Sequence, residues 1–258
     1  MTSMLADTWT LAKRSLRHIT RSPDTIITVL LMPIALMLLF AYVWGGAVGR
    51  QTGAISYVDF IVPGIVVMTV VSGIAYAAVR LSIDVQSGII NRFRTMPVAP
   101  SSILGGQVAS STLSNLFSSL VVLAVAFAIG FRSHGGVAAW LAFAGILLLF
   151  TLATTWLAIF FGLLARTVEG AGAFSYVLLL FIFISPAFVP TSSMTPWLRG
   201  FAEHQPMTPV VETMRSLLVD GTAGPRVWAA LAWILGILVV SYLLAVAAYR
   251  RKTIVVTS

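Results

Sequence analysis

No cysteine occurs in the 258 residues, which removes any disulfide framework, thiol nucleophile or thiolate metal site. Lysine is nearly absent as well. Lys13 stands in "LAKRS" and Lys252 in "RRKTI", and neither follows a glycine. A phosphate-cradling loop needs Gly-Lys-Ser/Thr behind a glycine-rich turn, so this chain carries no ATPase site of that kind. Only eight residues are acidic, and they fall outside the cores of the apolar segments or at their edges, as do the three histidines His18, His134 and His204. Ion-coupled carriers usually place ionisable groups inside their spans. No proton relay or metal-ligand pair at helical spacing can be built here. Net charge is +8, yet no basic run is interleaved with aromatics, so the sequence does not read as a nucleic-acid binder.

Charged residues make up 9% of the chain, against about a quarter in a soluble domain, which is too few to cover a surface facing water. Mean hydropathy is +0.98. The apolar runs are long and continuous, unlike the short alternating segments of a membrane barrel, so the spans read as helices. Six segments are of spanning length: approximately 25–46, 60–80, 103–130, 138–164, 172–190 and 228–249. The first apolar run starts near Thr25, is of full length and is followed by no small-residue cleavage site, so the N-terminus is not expected to be a removable signal. The expected fold is all-α and polytopic, one domain over 1–258. It comprises an N-terminal segment 1–24, a six-helix membrane domain 25–249 and a tail 250–258.

Sidedness follows from the basic residues near the span ends. One set of flanks holds Lys13, Arg14, Arg17, Arg21, Arg80, Arg92, Arg94, Arg166, Arg250, Arg251 and Lys252; the other holds Arg50, Arg132, Arg199, Arg215 and Arg226, partly balanced by Asp59, Glu203, Glu212 and Asp220. This bias places both termini in the cytoplasm of a multi-pass protein of the plasma membrane. Before the first span, Leu5, Trp9, Ala12, Leu16 and Ile19 share a narrow helical face, while Lys13, Arg14, Arg17 and Arg21 form the neighbouring polar arc. The regular stripe favours a helix lying in the membrane plane, its basic side among anionic headgroups, over a charged flank that only sets topology.

The outer segment before the last span, "MTPWLRGFAEHQPMTPVVETMRSLLVDG", contains Pro196, Pro206 and Pro209, each able to begin a helix. Two short helices over about 195–203 and 208–219 fit it, too apolar for a free loop and expected to dip into the outer leaflet or pack on the bundle. Polar residues inside the spans are mild. Ser111, Asn115 and Ser118 lie near one face of the third, and Thr154 and Thr155 lie in the fourth. Small and hydroxyl residues let helices approach closely, so this set reads either as packing or as a path for an amphipathic substrate. Asn115 is the carboxamide deepest in a span.

Between spans two and three runs "SGIINRFRTMPVAPSSILGGQ". A short helix from about Asp84 to Thr95 is expected, capped by Asp84 or Ser87 and stopped by Pro97, with Ile89, Phe93 and Met96 on one face. Such a helix can lie on lipid or dock into a partner's groove. The stretch resembles the cytoplasmic loop of type-2 ABC exporter permeases, especially the daunorubicin/doxorubicin-resistance branch, in its Gly, two aliphatics, polar pair, "RFR" and following Pro. The outer "HQPMTPVVETMRSLLVDG" is similar to the same family's segment before its last span.

The resemblance implies a bacterial, non-catalytic permease subunit of an ATP-driven exporter. A second permease copy or a homologous permease, and two copies of a cytoplasmic ABC ATPase subunit, would complete it. ATP and magnesium would be bound by those ATPase subunits, and no cofactor by this chain. The loop would be the coupling helix, with Gly88, Arg92, Phe93, Arg94 and Pro97 matching the family loop. Asn91 stands where many members carry an acid, which removes any ion pair formed there. The substrate implied is hydrophobic or amphipathic, a drug, antibiotic or lipid, with polysaccharide or lipid-linked glycan export as the alternative. An ATP-independent channel or carrier, or a membrane scaffold, are the readings of a different class.

Overall fold

A computed structural model describes residues 23–48, 56–87 and 100–254, with side chains described over 30–46, 56–87 and 104–249. The described residues are helical throughout, with short turns between, and no strand occurs among them. Helix α1 (Pro23–Leu39) runs on through a π turn, Phe40–Trp44, into a last helical turn, Gly45–Val48. Then come α2 (Tyr57–Gln86), α3 (Pro100–Ala128), α4 (Val137–Leu164) and α5 (Val168–Phe183). Two short helices, α6 (Pro196–His204) and α7 (Met207–Arg215), lead through a π turn, Ser216–Asp220, to the last helix, α8 (Val227–Ile254).

Among the described residues, four helices are long and apolar enough to cross a membrane: α2, α3, α4 and α8. Helix α5 is apolar but shorter, and α1 with its π turn is apolar over Leu30–Trp44. At 16 residues α5 is about 24 Å long. The sequence placed a span over 172–190, but the helix begins at Val168 and stops at Phe183. Thr167 caps its start, accepting from the Gly170 amide at 3.1 Å. Its end is set by Pro186, whose ring lacks an amide and disfavours a helical residue before it. The Ser185 hydroxyl turns back to the Ile182 carbonyl at 2.6 Å, closing the end.

α2 is the centre of the bundle. Residues 59–71 are buried without interruption, which is why the stretch reads as apolar all round. α1, α3, α4, α5 and α7 pack against it. α1 offers it one stripe, Leu30, Pro33, Met37 and Phe40. α4 approaches it so closely that a β-carbon at Gly162 would lie 2.8 Å from the Ala78 carbonyl oxygen, the backbone proximity that small residues permit between membrane helices. α8 packs chiefly on α4 through a stripe of Ala230, Ile234, Ser241, Ala245 and Tyr249. There Trp156 meets Tyr242 edge to face at 4.9 Å. The remaining faces of α8 carry exposed Leu235, Val239, Val240 and Leu243, as a helix bordering lipid should.

α2 extends six residues past Arg80, where the sequence ended the span. Asp84 therefore lies in its last turn and starts no separate helix, and Ser87 is its C-cap, donating from its hydroxyl to the Asp84 carbonyl at 3.2 Å. The apolar run that defined the span was shorter than the helix because the last turns, "LSIDVQ", are only half apolar. The expected outer helices at about 195–203 and 208–219 correspond to α6 and to α7 with its π turn. Pro196 occupies the first turn of α6 and Pro206 caps α7.

Candidate functional site

Of the residues singled out from the sequence, Trp9, Lys13, Arg14, Arg17 and Arg21, and also Gly88, Arg92, Phe93, Arg94 and Pro97, lie outside the described residues. The intramembrane polar set is described. On α3 the buried stripe reads Leu104, Val108, Thr112, Asn115, Ser118, Ser119, Val122 and Ala126, so the polar residues occupy the inward face together with the apolar ones. Ser111 is half-buried at the edge of that stripe. Asn115 sits over Gly73 of α2, where a β-carbon would come within 1.8 Å of its Oδ1. A glycine is required there for the carboxamide to enter between the two helices.

Thr154 and Thr155 are buried in α4. The Thr154 hydroxyl donates to the Phe150 carbonyl of its own helix at 2.8 Å, while the Thr155 hydroxyl has no partner, like those of Thr112 and Ser119. No hydrogen bond joins the α3 set to Thr154 or Thr155. Apart from the half-buried Ser111, both sets are buried in the bundle.

A second polar cluster, which sequence reasoning did not single out, lies at the end of the bundle that carries α6 and α7. Its centre is Arg215, buried at the end of α7. Its Nε donates to the Phe60 carbonyl of α2 at 3.1 Å and an Nη to the Pro186 carbonyl, beyond α5, at 2.6 Å. The guanidinium also lies over the Phe60 ring, 3.8 Å from its centroid, a cation–π arrangement that strengthens when water is excluded. Burial pulls the Arg215 pKa down to about 10, with Glu212 and Asp220 opposing the shift, so the group stays cationic at neutral pH.

Around Arg215 the chain is tied at several further points. The Asp59 carboxylate accepts from the Arg132 amide at 2.8 Å. The Leu218 carbonyl accepts from the Ser133 hydroxyl at 2.7 Å and from the His134 amide at 3.2 Å. Tyr57 donates to the Phe188 carbonyl at 3.2 Å, and the Gln205 amide to the Phe181 carbonyl at 2.8 Å. Arg226, just before α8, pairs with Glu212 at 2.9 Å. Burial pushes the Glu212 carboxyl up, with Arg226 and then Arg215 pulling it back. On α6 the Arg199 hydrogen bond draws the Glu203 carboxyl down. The signal for this cluster in the sequence was its charge: Asp59 and Arg215 flank apolar runs, and a buried charge in such a chain needs partners.

The two short helices play different parts. α7 buries Met207, Val210, Val211 and Met214 in the bundle, whereas α6 buries only Ala202 and exposes Trp197 and Phe201. With Trp228 also exposed at the start of α8, this end presents the aromatic side chains typical of a membrane–water interface.

Comparison with known proteins decides the family. The ABC-2 type transporter family matches residues 6–219, most of the chain and all of the elements from α1 to α7. The chain belongs to the ABC-2 type transporter family. Among its relatives is the daunorubicin resistance ABC transporter permease protein DrrB1 of Streptomyces coeruleorubidus, 29% identical over 203 residues, 78% of this chain and 71% of that protein. Another is the probable doxorubicin resistance ABC transporter permease protein DrrC of Mycobacterium tuberculosis, 27% identical over 253 residues, 96% of this chain and 90% of that one. The inner membrane transport permease YadH of Escherichia coli is 26% identical over 197 residues, 73% of this chain and 75% of it. The first two stand in the branch that the loop at 87–107 resembles, so family membership and branch agree with the residues that suggested them.

Proposed function

We propose that the chain is the membrane subunit of an ATP-driven ABC exporter and moves a hydrophobic or amphipathic molecule, a drug, antibiotic or lipid, out of the cell. The observation that carries this reading is the family match over 6–219 together with likeness to permeases of daunorubicin and doxorubicin resistance over most of both chains. In this reading α1 to α5 and α8 are six spans, both termini are cytoplasmic, and the end bearing α6 and α7 is external. The basic flanks support that sidedness.

A second permease copy or a homologous permease, and two copies of an ABC ATPase subunit, complete the transporter. The ATPase subunits bind ATP and magnesium and grip the 88–97 loop, while the substrate moves at the interface between permeases. Ser111, Asn115, Ser118, Thr154 and Thr155 are proposed to line the substrate's path, and all but the half-buried Ser111 would meet it only when α2, α3 and α4 separate, since they are buried in the bundle. Co-purification of the tagged full chain from its own host tests the reading. An ATPase subunit should come down with it, and hydrolysis by the reconstituted complex should rise with amphipathic drugs or lipids. A chain that purifies intact without any ATPase, or a complex stimulated only by glycans, would overturn the partner or the substrate class respectively.

A further inference from the structure

The polar bonds at the α6–α7 end close into a ring. Starting on α2, Asp59 holds the Arg132 amide; the same loop, through Ser133 and His134, holds the Leu218 carbonyl. Leu218 lies three residues after Arg215, and Arg215 returns to α2 at the Phe60 carbonyl while also holding Pro186 after α5. Asp59 and Phe60 are adjacent, so the ring begins and ends at one turn of α2. It takes in the α3–α4 loop, the turn after α7 and the end of α5.

A segment that opens as a lid is held by few bonds on one side and can hinge on the other. A closed ring has no such side. Moving α7 away from the bundle breaks the two guanidinium bonds and leaves the cation and the Pro186 carbonyl without these partners, in surroundings where water is scarce. Each such charged bond changes an opening equilibrium by about tenfold or more.

We propose that this ring is a fixed clamp in transport, with Arg215 as its positioning residue. The outer ends of α2 and α5, the α3–α4 loop and the α6–α7 hairpin move as one body. Release to the outside opens at the chain's outer faces and not by lifting the hairpin. The transport consequence rests on the exporter reading above, whereas the clamp itself does not.

Two measurements on the intact protein test it. Because the chain has no cysteine, His134→Cys with Asp220→Cys introduces a unique pair at two exposed side chains beside the Ser133–Leu218 bond. In the complex with its ATPase, bridging them with a short, reducible bis-methanethiosulfonate should leave transport at the rate of the reduced form. Loss of transport on bridging, recovered on reduction, would show the hairpin to be a lid and overturn the clamp while leaving the exporter reading intact.

If the natural protein drives neither transport nor hydrolysis in an intact complex, the exporter reading fails, and in that case, or if only the double variant is inactive, amide exchange of the chain in nanodiscs decides the clamp alone. The Arg132 and His134 amides should exchange slowly, and about a hundredfold faster in Arg215→Gln, which loses both charged bonds. Arg215→Lys keeps the charge but lacks the planar, pre-organised fork that serves the two carbonyls from separate nitrogens, and it should fall between. Fast exchange in the natural protein, or full protection in Arg215→Lys, would remove Arg215 from this role.

Discussion

Asn115 of α3 occupies a notch that Gly73 of α2 leaves open, with its Oδ1 1.8 Å from where a β-carbon at 73 would stand. The two helices are therefore fitted to each other at one polar residue and one missing side chain. Gly73→Ala should destabilise the protein by about 1–3 kcal/mol through overpacking. Gly73→Ala combined with Asn115→Ala should recover most of that loss, because the second change vacates the space that the first fills. Thermal unfolding of the purified protein in detergent measures both. Strictly additive effects would mean that the notch is not shared.

Asp59 and Arg132 give a second, more local expectation. What Arg132 offers is its backbone amide, so the carboxylate's oxygen matters more than its charge. Asp59→Asn retains an acceptor and should melt close to the natural protein. Asp59→Ala leaves a half-buried amide without its partner and should cost about 1–3 kcal/mol. Equal melting of the two variants would show that the bond contributes nothing.

The helices were readable from the sequence because their signal is additive along the chain: long apolar runs, with glycine, proline and charge between them. Where the ends were misread, the cause was local. The last turns of α2 alternate polar and apolar residues, so hydropathy faded before the helix did. At α5 the opposite held: the apolar run continues through "ISPAFV", but Pro186 ends the helix within it. The inward polar stripe of α3 was legible as a pattern, since Asn115, Ser118 and Ser119 fall at helical spacing. That Asn115 pairs with Gly73 was not, because the register of two helices depends on packing along their whole length. The Arg215 cluster joins Asp59 and Phe60 to residues more than seventy positions away, and separation of that order leaves no periodic trace. Arg215 was visible only as a charge to be counted for sidedness.

Glu212 supplies a pH dependence. Burial holds its carboxyl above the ordinary glutamate value of 4.5, despite Arg226 at 2.9 Å. The folded protein thus binds this proton more tightly than the unfolded chain. The stabilisation this gives is complete below 4.5 and is lost as pH rises through the raised value. Glu212→Gln, which cannot ionise, should equal or exceed the natural protein's melting temperature at pH 7, and the difference should shrink as pH falls. Glu203 has the opposite sign, since Arg199 draws its carboxyl down and its contribution is lost only in stronger acid. A Glu212→Gln variant less stable at pH 7 than at pH 5, relative to the natural protein, would show that the Arg226 pair outweighs burial.

The loop between α2 and α3 carries the last expectation, drawn from its likeness to the family's coupling loop. Phe93 is its one aromatic residue, and Arg92 precedes it in "NRFRTMP". An aromatic side chain seated in a partner's pocket is a typical hot spot, and reversing a neighbouring charge disrupts a basic contact to an acidic groove. Phe93→Ala and Arg92→Glu should therefore abolish substrate-stimulated ATP hydrolysis by the complex. Membrane insertion should be unchanged, because Phe93→Ala leaves all eleven basic residues that set sidedness in place and Arg92→Glu leaves ten of them. Normal stimulated hydrolysis, in a complex shown by co-purification to be intact, would remove these two residues from the coupling role and leave the loop as a topology signal alone.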